Sequence, residues 1–163
     1  MPYCEYPSPV GNLTLVASDT GLRAIWWPDD IRRGDLGEEQ PDHPVLVQAR
    51  RELDEYFAGE RTDFDVPLDP HGTDFQKAAW EVLRTIPYAT TMTYAEQALR
   101  LGDANKARAV GAANGRNPLS IVVPCHRVIG TSGSLTGFAG GVATKHWLLE
   151  FERQHAARRT VEA

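Results

Sequence analysis

The spacing of apolar residues changes period near residue 70, and that change limits the folds open to this 163-residue chain. Before it, LTLVAS (13–18) and LRAIWW (22–27) flank a DTG turn, the pattern of a β-hairpin. Residues 28–44, rich in Asp, Glu, Pro and Gly, read as a loop. Val45, Ala49, Leu53, Tyr56 and Phe57 then fall on one helical face, which GER ends. FDVPLDPHG reads as a short strand and a linker. Beyond it the period is helical: Phe75, Ala78, Ala79, Val82 and Ile86 share a face until IPY interrupts. Strands and a helix in front, helices behind, predict an α+β chain of two domains, 1–70 and 71–163.

The rear holds two short helices close together. TYAE (93–96) has the form of a capping box, with Thr93 at the N-cap and Glu96 three residues on. It predicts a helix through Leu101, a turn at Gly102, an Asp103 cap, and a second helix in NKARAVGAANGRN. That is the outline of a helix-turn-helix. Residues 144–155 form the last helix, with Leu148, Leu149 and Glu152 on one face and His146, Glu150 and Arg153 on the other. Glu152 is thereby aimed at the interior, where a carboxylate needs a partner. The alternative is a carboxylate that reaches water from the helix end.

Composition excludes several classes. No apolar run approaches the roughly 20 residues of a membrane span. MPYCEYPSP lacks the basic and apolar regions of a secretory signal. Cys4 and Cys125 cannot make a disulfide framework, and no Cys/His spacing suits zinc. A reduced, cytoplasmic protein without metal or cofactor is the expectation. The net charge of −5 argues against a polyanionic partner, but its distribution does not. Residues 29–65 carry twelve acidic against five basic side chains. Residues 100–127 carry Arg100, Lys106, Arg108, Arg116 and Arg127 against Asp103 alone, enough to offer a polyanion one basic face. Ordinary surface scatter would give the same numbers.

The second helix of the pair is made of small residues: Ala107, Ala109, Gly111, Ala112, Ala113 and Gly115, with Arg108 and Arg116 near its ends. Small residues serve tight internal packing, or they let a helix backbone approach the walls of a narrow groove. In the latter reading Arg108 is a protruding wedge. The chemistry concentrates in SIVVPCHRVIG (120–130). A thiol attacks as the thiolate, and a neighbouring His promotes that form. Adjacent side chains of an extended segment point to opposite faces, so Cys125 and His126 need a bend or a bridging water, and Pro124 makes a bend plausible. With Glu152 to orient His126, the three have the logic of nucleophile, base and orienter. An inert buried thiol is the bland alternative.

NPLSIVVPCHRVIG, preceded by KARAVGAANGR and followed by GFAGGVATKHWLLEFE, closely resembles the O6-alkylguanine-DNA alkyltransferases, or methylated-DNA–protein-cysteine methyltransferases. The likeness covers about 71–154; the front matches in outline through SPVGNLTLVASDTGL and LDEYFAGER. It implies a ribonuclease H-like N-terminal domain and a winged-helix-like C-terminal domain. It also implies DNA repair by irreversible, single-turnover transfer of an alkyl group from O6-alkylguanine, with O4-alkylthymine as a second substrate. Cys125 is then the acceptor, His126 its base through a water, Glu152 the holder of His126, and Asn117 the hinge of the active-site segment. Tyr94 donates to guanine N3, the Cys125 and Val128 carbonyls accept from the exocyclic amine, and the Ala139 N–H meets O6. Phe138 and Gly140 complete the pocket. Arg108 fills the gap left by the extruded base, while Ala107, Ala109, Gly111, Ala112 and Arg116 meet the minor groove of double-stranded DNA. The partner is DNA and the protein a monomer, with cooperative assembly on DNA left open.

Departures from the family pattern are Phe138 and Ala139, where many relatives carry hydroxyl side chains, and an isolated Cys4 where some bind zinc. The first puts pocket width in doubt; the second predicts no zinc. Two other readings compete. A cysteine hydrolase using Cys125, His126 and Glu152 would turn over. A helix-turn-helix regulator would need polar base-reading side chains that the Ala/Gly helix lacks.

Overall fold

The computed structural model describes residues 1–30, 34, 36–135 and 138–162, with the side chains of 160–162 excepted. Parts of the acidic front loop and the Gly137 of GFAGG lie outside the described residues. The chain divides into two compact units, Met1–His71 and Gly72–Ala163.

The first unit is an antiparallel sheet of β1 (Tyr3–Ser8), β2 (Gly11–Ala17) and β3 (Leu22–Trp26), in that order, with α1 (Pro44–Phe57) packed on it. Strand β1 was not expected: CEYPSP is broken by prolines, yet on an edge strand Pro7 need not donate to the ladder. Leu13 to Ala17 are all buried, as befits the central strand. Helix α1 turns Leu46, Ala49, Leu53 and Tyr56 inward. The strand expected in FDVPLDPHG does not form. Leu68 makes only an isolated bridge to Leu22, because Pro67 and Pro70 have no N–H to continue a ladder. Gly21 lets that segment approach: a Cβ there would stand 2.7 Å from the Pro67 carbonyl oxygen.

The second unit contains α2 (Asp74–Arg84), β4 (Met92–Thr93), α3 (Tyr94–Arg100), a 3-10 turn (Ala104–Lys106), α4 (Ala107–Gly115), a second 3-10 turn (Cys125–Arg127), β5 (Val128–Ile129) and α5 (Val142–Glu162). Helix α2 buries Ala79, Trp80 and Leu83, while Ala78 is exposed. The buried face is therefore rotated from the predicted one, because the bulk of Trp80 outweighs that of the small alanines. The Trp80 indole donates to the Ala113 carbonyl at 2.8 Å and anchors α4. Gln97 and Asn114 exchange amide hydrogen bonds at 3.0 and 2.8 Å, locking α3 to α4 in a buried polar clasp. Gly102 takes φ +100 between α3 and the 3-10 turn, which Asp103 caps by accepting the Asn105 N–H. The fold class is α+β, with the helix pair in the place expected for it.

Candidate active site

Residues 117–127 are held in a shape that no strand could adopt. Asn117 donates its amide to the Val123 carbonyl at 2.8 Å and accepts the Leu119 N–H at 3.0 Å. The enclosed Ile121 has φ +76, a conformation that costs a β-branched residue on the order of 1–3 kcal/mol. The β-branched run is therefore a clasped loop. After Pro124 the chain turns once, through Cys125–Arg127, before β5 pairs in parallel with β4, Met92 opposite Val128 and Thr93 opposite Ile129. That pairing sets Tyr94, the first residue of α3, beside the active-site turn.

Glu152 is fully buried on α5 and accepts hydrogen bonds from three residues. His126 Nε2 lies at 2.7 Å, Arg127 Nε and Nη2 at 2.9 and 3.0 Å, and the Ala89 N–H at 3.1 Å. Arg127 also donates to the Ile86 carbonyl at 2.8 Å and lies over the Tyr88 ring. Burial works to raise the Glu152 pKa, but His126 and Arg127 overcome it and hold the carboxyl well below the usual range. An ionised carboxylate only accepts, so Nε2 of His126 carries a hydrogen and Nδ1 presents its lone pair. Nδ1 is buried and has no hydrogen-bond partner among the described residues. Burial lowers the His126 pKa against the pull of Glu152, so the ring is neutral and able to take a proton.

Cys125 retains 7% exposure beside the wholly enclosed His126. Burial pushes its thiol pKa up, while Asn117, Lys145 and Ser120 act to lower it. The resting sulfur is thus a thiol, and a base is needed to make it a nucleophile. Lys145 on α5 is 1% exposed, an unusual place for an ammonium. Its Nζ lies 3.4 Å from the Tyr94 hydroxyl and 5.7 Å from the centre of the Tyr94 ring.

Both units match family models. Residues 74–154 match the 6-O-methylguanine DNA methyltransferase DNA-binding domain, and residues 1–70 its ribonuclease-like domain. The chain belongs to the 6-O-methylguanine DNA methyltransferase family. The methylated-DNA–protein-cysteine methyltransferase of Methanosarcina acetivorans is 45% identical over 157 residues, covering 93% of this chain and 98% of the relative. That of Mycobacterium tuberculosis is 46% identical over 154 residues, covering 94% and 93%. The crystal structure of M. tuberculosis OGT in complex with DNA superposes with a TM-score of 0.87 at 45% identity, covering 95% of this chain and 94% of that one.

Within this methyltransferase fold, Cys125, His126, Glu152 and Asn117 converge on one turn. Val128 is buried there and Phe138 is 9% exposed; Ala139 is exposed and Gly140 half-buried. Arg108, Ala109 and Ala112 are exposed on α4 and Arg116 is exposed at its C-cap, with Ala107 and Gly111 partly so. Internal packing therefore accounts for Val110, Ala113 and Asn114 and not for the exposed alanines. Gly111 backs onto the Tyr94 ring, where an added Cβ would meet ordinary contact at 3.7 Å. Two residues were missed. Arg127 was read as surface charge, although it follows Cys125 and His126 directly. Lys145 shares the helical face of Leu148 and Glu152, and that spacing is the signal by which it could be found.

Proposed function

We propose that this chain repairs DNA by moving the alkyl group of O6-alkylguanine onto Cys125 Sγ. The observation that carries the reading is the buried Glu152–His126 pair, which leaves a lone pair on a neutral imidazole next to a thiol that is protonated at rest. His126 Nδ1 takes the thiol proton through a bridging water, and Glu152 stabilises the imidazolium that results. The sulfur lone pair forms an S–C bond as the C–O6 bond breaks, and the electron pair leaves with guanine. Tyr94 protonates the departing ring at N3. The Cys125 and Val128 carbonyls accept from the exocyclic amine and the Ala139 N–H donates to O6, within a pocket walled by Phe138 and Gly140.

The alkyl carbon is unreachable inside a duplex, so the nucleotide rotates out at a cost of a few kcal/mol. Arg108 enters the gap while Ala107, Ala109, Gly111, Ala112 and Arg116 lie against the minor groove. A helix with so little side-chain bulk brings its backbone close to the sugar-phosphate walls. O4-alkylthymine fits the same chemistry. The protein acts as a monomer in the reducing cytoplasm, where the thiol stays available, and Asn117 ties the end of α4 to the reacting turn. No metal or cofactor enters these steps.

The test is mass spectrometry after exposure to a duplex bearing O6-methylguanine. The expected result is one methyl group on the peptide bearing Cys125, and no more than one per chain under excess DNA, because an unactivated thioether does not hydrolyse at neutral pH. A methyl on another residue, or sustained turnover, would refute it.

A further inference from the structure

We propose that Arg127 is a positioning residue that keeps His126 vacant for the thiol proton, by cancelling the charge of Glu152 before the imidazole can. This rests on the reading above, in which His126 is the base that serves Cys125. Three groups are sealed in together. His126 and Glu152 have no exposure and Arg127 has 4%. Arg127 grips Glu152 with two hydrogen bonds, Nε to Oε1 at 2.9 Å and Nη2 to Oε2 at 3.0 Å. His126 Nε2 shares Oε2 at 2.7 Å. The remaining nitrogen of the fork, Nη1, donates to the Ile86 carbonyl at 2.8 Å, so the guanidinium is fixed from two sides.

Away from water, a set of charges is most stable when it sums to zero. A guanidinium does not give up its proton, so with Arg127 present the sum is zero when the imidazole is neutral. A carboxylate and an imidazole by themselves would reach zero only as an ion pair, with the ring already protonated. Such a base is full before the thiol offers it anything. Glu152 orients the ring in either case; the neighbouring cation decides whether the ring is empty.

The other titratable groups around the ring do not upset that sum. On its own turn stands Cys125, a thiol at rest. From α5 come Glu152 and Lys145, and from the loop after α2 comes Tyr88, whose ring lies against Arg127. Burial lowers the His126 pKa, Glu152 raises it, and Arg127 lowers it again, with Lys145 acting in the same sense as Arg127 to a smaller extent. Tyr88, pushed up to about 12 chiefly by burial, carries no charge near neutral pH.

Nuclear magnetic resonance of the His126 ring nitrogens, titrated in the unreacted full chain without DNA, tests this directly. In the wild type the ring should take up its proton only below pH 6.5. Arg127→Gln keeps a hydrogen-bond donor for Glu152 but no charge, and should raise that midpoint by about 1–3 pH units. Arg127→Lys keeps the charge and loses the fork, and should leave the midpoint within about one unit of the wild type. A midpoint that stays or falls in Arg127→Gln, or that rises in Arg127→Lys as far as in Arg127→Gln, overturns the proposal. Should Arg127→Gln fail to fold, Arg127→Lys alone decides, a rise beyond about one unit being the overturning result. Single-turnover transfer from an O6-methylguanine duplex gives a second readout. The rate of Arg127→Gln relative to wild type should fall about 10-fold between pH 8.5 and pH 6.5, as its base fills with protons; a purely structural loss would give the same ratio at both, and that result also overturns it. An unmoved midpoint in a protein whose wild type still methylates Cys125 sinks this inference alone, whereas a methyl group on another residue sinks the reading beneath it.

Discussion

Replacing the Glu152 carboxylate by an amide should unsettle more than the imidazole it holds. Glu152→Gln leaves Arg127 charged, 4% exposed and without its counter-ion, and breaking such a buried pair costs about 3–5 kcal/mol. Urea denaturation at neutral pH should show that loss. The pH dependence has a definite sign. The folded Glu152 pKa lies below its ordinary 4.5, so its stabilisation is complete above that pH and declines as pH falls further. The gap between wild type and Glu152→Gln should therefore hold down to about pH 4.5 and narrow below it. His126, its folded pKa held below 6.5 by burial, adds an earlier loss on acidification, because the unfolded chain takes up its proton first. A gap that widened in acid would contradict this account. At this scale the sequence was partly legible. Helical spacing placed Glu152 inward and Pro124 announced a turn. Arg127 and Lys145 escaped because a cation is assumed to face water until its partners are seen.

Capping chemistry made the elements of the second unit readable, with one omission. Thr93 accepts the Glu96 N–H at the start of α3, as TYAE implied, yet the complete reciprocal box belongs to Thr73 and Gln76 at α2, which went unread. The shape of SIVV has a different origin. Its β-branched residues have strand propensity, but Asn117 holds both ends of the loop and forces Ile121 to φ +76, a tertiary constraint invisible to local pattern. Gly102 allows a clean test of backbone strain, because a Cβ there would meet nothing within 4 Å at φ +100. Gly102→Ala should destabilise the protein by about 1–2 kcal/mol through the backbone alone. Thermal unfolding measures it, and an unchanged midpoint would mean that the turn relaxes at no cost.

For the molecule as a whole, charge placement matters more than charge sum. Of the five basic residues between 100 and 127, Arg127 is spent on Glu152, which leaves Arg100, Lys106, Arg108 and Arg116 exposed. A DNA affinity carried by this face should fall with salt. Arg108→Ala and Arg116→Ala should each lower the slope of log K against log salt by about 1 wherever the side chain meets a phosphate. Binding titrations at several ionic strengths would show this, and an unchanged slope in both variants would move the DNA to another surface. The family was legible from the PCHR segment and the residues on either side of it. Strand β1 was not, because prolines hide an edge strand from any pattern based on alternation.

The crowding around Glu152 carries one more consequence. With an imidazole, a guanidinium fork and a backbone amide leaning on its two oxygens, that acid keeps its charge even against the hydrogen held out to it by the imidazole. Whatever the imidazole picks up must therefore stay on the ring or leave by the way it came, so the acid works as a mooring and never as the next runner in a relay.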